Sequence, residues 1–117
     1  MMVAMSIGRT STDDQAAGPV VTVFRSTLCP DTVEEYEVVS ARMVELARAM
    51  PGFVDYKTFE SGDGERVTIV TFASLDDHRS WRDHPEHRQA QRLGRERFYA
   101  SYAIQVCTGV SESRFQR

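Results

Sequence analysis

The stretch Pro51-Gly52-Phe53-Val54-Asp55-Tyr56-Lys57-Thr58-Phe59-Glu60-Ser61-Gly62-Asp63-Gly64-Glu65-Arg66-Val67-Thr68-Ile69-Val70-Thr71-Phe72-Ala73 decides the fold. Pro51-Gly52 ends whatever helix precedes it, because proline cannot continue a helix and glycine accepts the left-handed exit conformation. Phe53 to Ser61 and Arg66 to Ala73 are rich in β-branched and aromatic residues. Gly62-Asp63-Gly64-Glu65 between them is turn chemistry, so the stretch reads as a β-hairpin. In the second run Val67, Ile69 and Thr71 alternate with Thr68, Val70 and Phe72, apolar on both faces. The first run, with Asp55, Lys57, Thr58 and Glu60, is more polar and belongs at a sheet edge.

Upstream, Val20 to Leu28 is a short β-branched run opened by Pro19, with Arg25 as its one charged residue. Asp31 and Glu34 behind Cys29-Pro30 have the spacing of an N-cap and its capping-box partner. Val33, Tyr36, Val39, Met43, Leu46, Ala47 and Met50 then recur at three and four, the stripe of an amphipathic helix that Pro51-Gly52 stops. Downstream, Ser74 caps a short helix carrying Leu75, His78 and Trp81, with Asp76 and Asp77 in its first turn. His84-Pro85 breaks it, and Pro85 opens a second helix from Glu86 to roughly Ala100. The inner face of that helix is His87, Ala90, Gln91, Gly94 and Phe98; a glycine inside a helix costs about 1 kcal/mol, so Gly94 predicts close packing. Tyr102 to Val110 closes the chain as a strand.

The order is β-α-β-β-α-β. It predicts an α+β, ferredoxin-like domain over 19–112: a four-stranded antiparallel sheet with its helices on one face. Residues 1–18 read as a disordered polar tail and 113–117 as a polar end. Strands apolar on both faces need a cover on the helix-free side, which predicts a homodimer with the two sheets packed together.

Composition excludes several classes. The 117 residues are 41% hydrophobic and 26% charged with a formal net charge of -3, which gives no basic face for nucleic acid. No apolar run approaches the roughly 18 residues of a membrane span, and the opening lacks the basic and apolar regions of a secretory signal. A cytoplasmic location is the resulting expectation, with Cys29 and Cys107 as reduced thiols.

Pro51-Gly52-Phe53, Asp63-Gly64-Glu65-Arg66, the block Trp81-Arg82-Asp83-His84-Pro85-Glu86-His87, Ala90-Gln91 and Gly94-Arg95-Glu96-Arg97-Phe98-Tyr99 together resemble the antibiotic-biosynthesis monooxygenase superfamily of dimeric α+β barrels. The resemblance implies oxygenation, without a cofactor, of a phenolic, anthrone-like or polycyclic aromatic molecule to a quinone, with dioxygen as co-substrate. Two other readings stand beside it: a haem-binding or haem-degrading enzyme, and a non-catalytic dimeric binding or stress-associated module. Anthrone-oxidising members carry Asn one turn before the Trp, where this chain has Asp77. Haem-degrading members carry an Asn on the first strand, absent here, and a haem-ligating His where Gln91 stands. Those departures disfavour haem. A zinc or iron site at His84 and His87 would need further ligands that the sequence does not present, so no metal is expected.

The candidate site centres on the elbow. Trp81 is a cavity wall or plain core. His87 is the leading candidate for proton transfer, since His titrates near neutral pH, or else a buried His bonded to a carbonyl. His84, at the natural cap position, is a helix-capping or solvent-exposed His, or else a catalytic or substrate-binding residue. Arg25 orients a substrate oxyanion or pairs at a dimer interface. Tyr36 and Tyr56, with Tyr99 and Tyr102, are donors to a phenolate or core tyrosines. Asp77, Gln91 and Phe98 complete the set expected to meet substrate. The Arg92, Arg95, Glu96, Arg97 run reads as a solvated helix face.

Overall fold

A computed structural model of the chain describes residues 18–117; the disordered tail expected at 1–18 lies almost wholly outside the described residues. The elements are β1 (Val20–Leu28), α1 (Val33–Ala49), β2 (Phe53–Glu60), β3 (Arg66–Phe72), α2 (Leu75–Asp83), α3 (Pro85–Leu93) and β4 (Tyr99–Thr108). The four strands form one antiparallel sheet in the order β2-β3-β1-β4, the ferredoxin-like arrangement. The more polar β2 is indeed an edge strand.

Register assigns the two faces. Val20, Thr22, Phe24 and Ser26 pair with Phe72, Val70, Thr68 and Arg66 on one side and with Thr108, Val106, Ile104 and Tyr102 on the other. Cross-strand partners share a face, and this is the one the helices cover over β3 and β1, while Tyr102, Ile104 and Val106 of β4 on the same face stay exposed. Its core is Met43, Leu46 and Ala47 of α1, Val70 and Phe72 of β3 and Trp81 of α2, with Phe53, Tyr56, Val39, Met50 and Ala90 packed around them. Val21, Val23 and Arg25 fall on the helix-free face with Val67, Ile69 and Phe59. Arg25 there holds Glu65 through Nε at 3.2 Å and Nη2 at 2.9 Å.

Gly52 joins α1 to β2 at φ +78°, a conformation that disfavours any residue with a Cβ. Its carbonyl accepts from the Ala73 N–H at 2.7 Å, tying the start of β2 to the end of β3. A Cβ at this position would lie 2.0 Å from Asp77 Oδ2. Asp77 is pinned: its N–H donates to Ser74 Oγ at 3.1 Å and its Oδ2 accepts from that hydroxyl at 2.9 Å, a closed cap on α2. Gly52→Ala is therefore expected to destabilise by about 2–3 kcal/mol, from the left-handed φ plus disruption of the cap. In an Asp77→Ala background the cost should shrink, because only the backbone part remains; an undiminished cost in that double-mutant cycle would rule out the overlap.

Three local expectations are corrected. Asp31 does not cap α1: Pro30–Thr32 forms a single 3-10 turn and Thr32 takes the cap position without a side-chain cap bond. The Thr32 hydroxyl turns instead to the Cys29 carbonyl at 2.8 Å, while the Cys29 N–H reaches the Phe98 carbonyl at 2.7 Å, stitching the end of β1 to the start of β4. The last helix does not run to Ala100. It passes at Gly94 into a π-helical turn, Gly94–Phe98, and β4 begins at Tyr99 rather than Tyr102. The wide turn buries Phe98, and Gly94 is the close approach its sequence position suggested: a Cβ there would meet the Tyr99 ring at 2.4 Å.

Candidate functional site

The elbow between α2 and α3 is set by Pro85. It sits in the first turn of α3, where a missing N–H is harmless, and holds His84 extended at φ -58°, ψ 132°. His84 Nδ1 accepts the Glu86 N–H at 3.1 Å, so its ring caps α3. Glu86 reaches Arg42 of α1, with Oε1 accepting from Nη2 at 2.9 Å, which fixes α3 across α1. The chain after the break folds back so that the His87 ring stacks on the Trp81 indole, centroids 3.8 Å apart and planes 16° apart. Trp81 also stacks on Phe72 of the sheet at 6.2 Å.

Beneath this pair lies a cavity of about 310 Å³ between the sheet and the helices. Trp81, His87, Tyr36, Tyr56, Gln91 and Phe98 of the expected site residues all line it. Arg25, Asp77 and His84 do not. Arg25 points from the helix-free face to Glu65, Asp77 is locked against Ser74, and His84 is spent on its own helix. Tyr99 and Tyr102, weighed as donors, line the cavity as well. Thr22, His78, Arg82 and Arg95 are cavity residues that sequence reasoning did not place there. The signal for His78 was present, since it shares the Leu75, His78, Trp81 stripe of α2. Arg95 was legible only as the residue one turn beyond Gln91.

The cavity's walls set its chemistry. His87 Nδ1 lies 3.0 Å from the Trp81 carbonyl and 3.3 Å from Gln91 Nε2; the carbonyl only accepts and is the nearer of the two, which assigns the proton to Nδ1 and excludes Gln91 Nε2 as its donor. Gln91 Nε2 donates to the Arg82 carbonyl at 3.1 Å and supports that edge of the ring. The tautomer leaves Nε2 unprotonated, with no partner among the described residues. Burial pushes the His87 pKa down to about 4, against the opposing pull of the Trp81 and Arg82 carbonyls. His87 is thus neutral at pH 7, and the expectation that it titrates near neutrality is corrected. His78 is shifted down too, first by burial and then by Arg82 and Arg79, and its Nδ1 lies 3.5 Å from the Thr22 hydroxyl.

A cluster of aromatic rings also lines the cavity. Tyr36 meets Phe98 edge-on at 5.8 Å and Tyr99 at 6.0 Å, and Phe24 meets Tyr99 and Tyr102 at 5.2 and 5.4 Å. Burial raises Tyr56 to about 12 and raises Tyr99 further, so both phenols keep their protons and remain donors. The arrangement is a mostly apolar chamber lined by a neutral imidazole acceptor and by phenolic donors, suited to a flat aromatic guest with a hydroxyl. Among the described residues no three His, Cys, Asp or Glu side chains converge as metal ligands.

This fold and this chamber between sheet and helices define a class. Residues 19–93 match the family described as antibiotic biosynthesis monooxygenase, and the chain belongs to that family. It is 33% identical over 98 residues to the uncharacterized protein YqjZ of Bacillus subtilis, covering 84% of this chain and 86% of that protein. Among solved structures it is similar to Rv0793 of Mycobacterium tuberculosis, at 23% identity and TM-score 0.74, covering 83% of this chain and 100% of the other. It is also similar to SnoaB, a cofactor-independent oxygenase of Streptomyces nogalater, at 22% identity and TM-score 0.70, covering 82% and 97%. At those identities the two structures speak for the fold.

Proposed function

We propose that the protein is a monooxygenase that converts a phenolic, anthrone-like or polycyclic aromatic molecule to a quinone with dioxygen and no cofactor. The observation that supports this reading most is the His87–Trp81 pair: a neutral imidazole held by its Nδ1–H to a carbonyl, its Nε2 the base, in a chamber walled by protonated tyrosines. Family membership and the cofactor-independent relative SnoaB agree with it.

The reaction balances as a ring methylene plus dioxygen giving a ring carbonyl plus water. His87 Nε2 takes the methylene proton, which is acidified by the existing carbonyl, and Tyr56 or Tyr99 donates to the enolate oxygen as charge develops there. The electron-rich anion reduces dioxygen, one oxygen atom bonds to carbon, and loss of water leaves the second carbonyl. An imidazolium is penalised in this buried position, and the anion formed beside it supplies the countercharge that makes the transfer feasible. The apolar walls keep water from competing.

A homodimer is part of the same proposal. The helix-free face carries Val21, Val23, Val67, Ile69 and Phe59, which is 51% exposed, and a second sheet packed there would remove this surface from water. Arg25 and Glu65 would then lie at or near the interface.

The test is oxidation of 9-anthrone under ¹⁸O₂. The expected outcome is anthraquinone carrying one labelled oxygen, formed well above the rate without protein. No labelled product above that background from this or hydroxynaphthalene substrates would favour a non-catalytic binding module.

A further inference from the structure

The second helix of the elbow carries an unbalanced charge at the cavity's edge. Arg82, Gln91 and Arg95 line the cavity and also an adjoining polar groove completed by Asp83, Arg88 and Arg92. Four guanidinium groups therefore face one carboxylate. That carboxylate is already taken: Asp83 accepts from Arg82 Nε at 2.8 Å and Nη2 at 2.9 Å, and from Arg88 Nη2 at 3.3 Å. Its pKa is held well below the usual carboxylate range by these bonds, first of all by Arg82. Among the described residues Arg92 and Arg95 have no ion-pair partner, and Glu96, their neighbour in sequence, joins neither. Arg97, in the same run, is occupied with Glu35 of α1 at 2.7 Å.

The placement is locally unfavourable. Arg88 and Arg92 stand four apart on one helix, where like charges repel. The chain as a whole is acidic, with a net charge of -3, so this cationic strip is not a general surface property. A local rule broken beside a cavity points to a ligand that restores the balance. Arg95 is the link, since its side chain borders both spaces.

We infer that the substrate of this cavity carries an acidic group, a carboxylate on its aromatic ring system, which Arg95 and Arg92 hold at the mouth while the rings lie against Trp81 and Phe98. This rests on reading the cavity as the substrate site. Guanidinium and carboxylate match as planar, bidentate partners, and anchoring the acid there fixes which end of the ring system reaches His87.

The test is calorimetric titration of the full chain with 2-naphthol and with 6-hydroxy-2-naphthoate, two stable probes that differ by the carboxylate. The acid is expected to bind roughly 10- to 100-fold tighter at low salt, the range for charge-assisted hydrogen bonds. That ratio should fall toward unity in an Arg92→Gln, Arg95→Gln double variant and in the unmodified protein as salt is raised. Arg114→Gln, remote from the cavity, should keep the ratio. Equal binding of the two probes, or a preference that survives the double substitution, would overturn the inference while leaving the oxygenase reading intact if anthrone is still oxidised. Binding of neither probe would overturn the inference as well, and the oxygenase reading would then stand or fall with the oxidation of anthrone.

Discussion

His87→Ala is expected to slow oxygen uptake with anthrone by about 100-fold or more, since a positioned general base contributes roughly 10²- to 10⁴-fold. Alanine also removes the ring stacked on Trp81 at 3.8 Å, so a fall in rate alone would not separate chemistry from packing. His87→Phe makes that separation. Phenylalanine keeps a flat ring on the indole, has no nitrogen, and is expected to lose activity as fully as alanine while melting close to the unmodified protein. Retained activity in His87→Phe would remove the imidazole from the mechanism. The pH profile gives an independent check. With its folded pKa lowered to about 4 from 6.5, His87 is already the free base throughout the neutral range. The acid limb of kcat/KM should therefore lie near pH 4, with no inflection near 6.5 from this group. The same shift has a stability consequence. The unfolded chain binds the His87 proton more readily than the folded one, so the contribution is fully present above about pH 6.5 and is lost as pH falls toward 4.

Trp81→Ala is expected to cost about 3–5 kcal/mol of stability, the range for deleting a buried aromatic side chain. Trp81 is 5% exposed, stacks on both Phe72 and His87, and belongs to the cluster that joins α1, β3 and α2. Its loss would run the existing cavity into the core, and nothing nearby is free to fill the gap because Phe72 and Ala47 are themselves fully packed. Denaturant unfolding at fixed protein concentration should show a lower midpoint with an unchanged slope, and a melting temperature lower by roughly 10 °C or more. Trp81→Phe should recover most of this and still lower activity, because a smaller ring supports His87 less well. A Trp81→Ala protein as stable as the parent would mean that the indole is only a cavity wall. The two readings offered by its sequence position, core and wall, are both occupied by the same side chain.

How local each determinant is separates the readable elements from the others. Strand alternation, the α1 stripe and the Pro51-Gly52 stop depend on neighbours a few residues apart, so β1, β2, β3 and the sheet they make were readable. The hairpin forms as expected, with the Gly64 N–H on the Ser61 carbonyl at 3.0 Å and the Ser61 N–H on the Glu65 carbonyl at 2.9 Å. Ser74 caps α2 as its spacing implied. The failures involve partners far apart in the chain. Asp31 loses its cap role because Thr32 and Cys29 are drawn to Phe98. The last helix stops early for a related reason: once Phe98 is buried and its carbonyl is held by Cys29, Tyr99 must already run beside Leu28.

The site divides along the same line. Sequence by itself determined that a helix-break-helix elbow forms at Pro85, and that His87 and Gln91 share the inner side of the helix beyond it, because helical periodicity fixes relative direction within one element; Phe98 also points inward, but from the π-helical turn that follows. Sequence ranked His87 first but kept His84 and Asp77 among the residues expected to meet substrate, since composition does not distinguish a side chain aimed at a cavity from one bonded to its own helix end. Only the tertiary structure decided between them. Folding α3 back across α2 sets the imidazole of His87 on Trp81, depresses its pKa by burial, and leaves one nitrogen for a guest. It equally turned Arg95, which periodicity read as a solvated face, into the border between the chamber and a cationic groove. Those outcomes depend on how three helices stack over one sheet, a non-local balance of packing and desolvation that no short window of sequence contains.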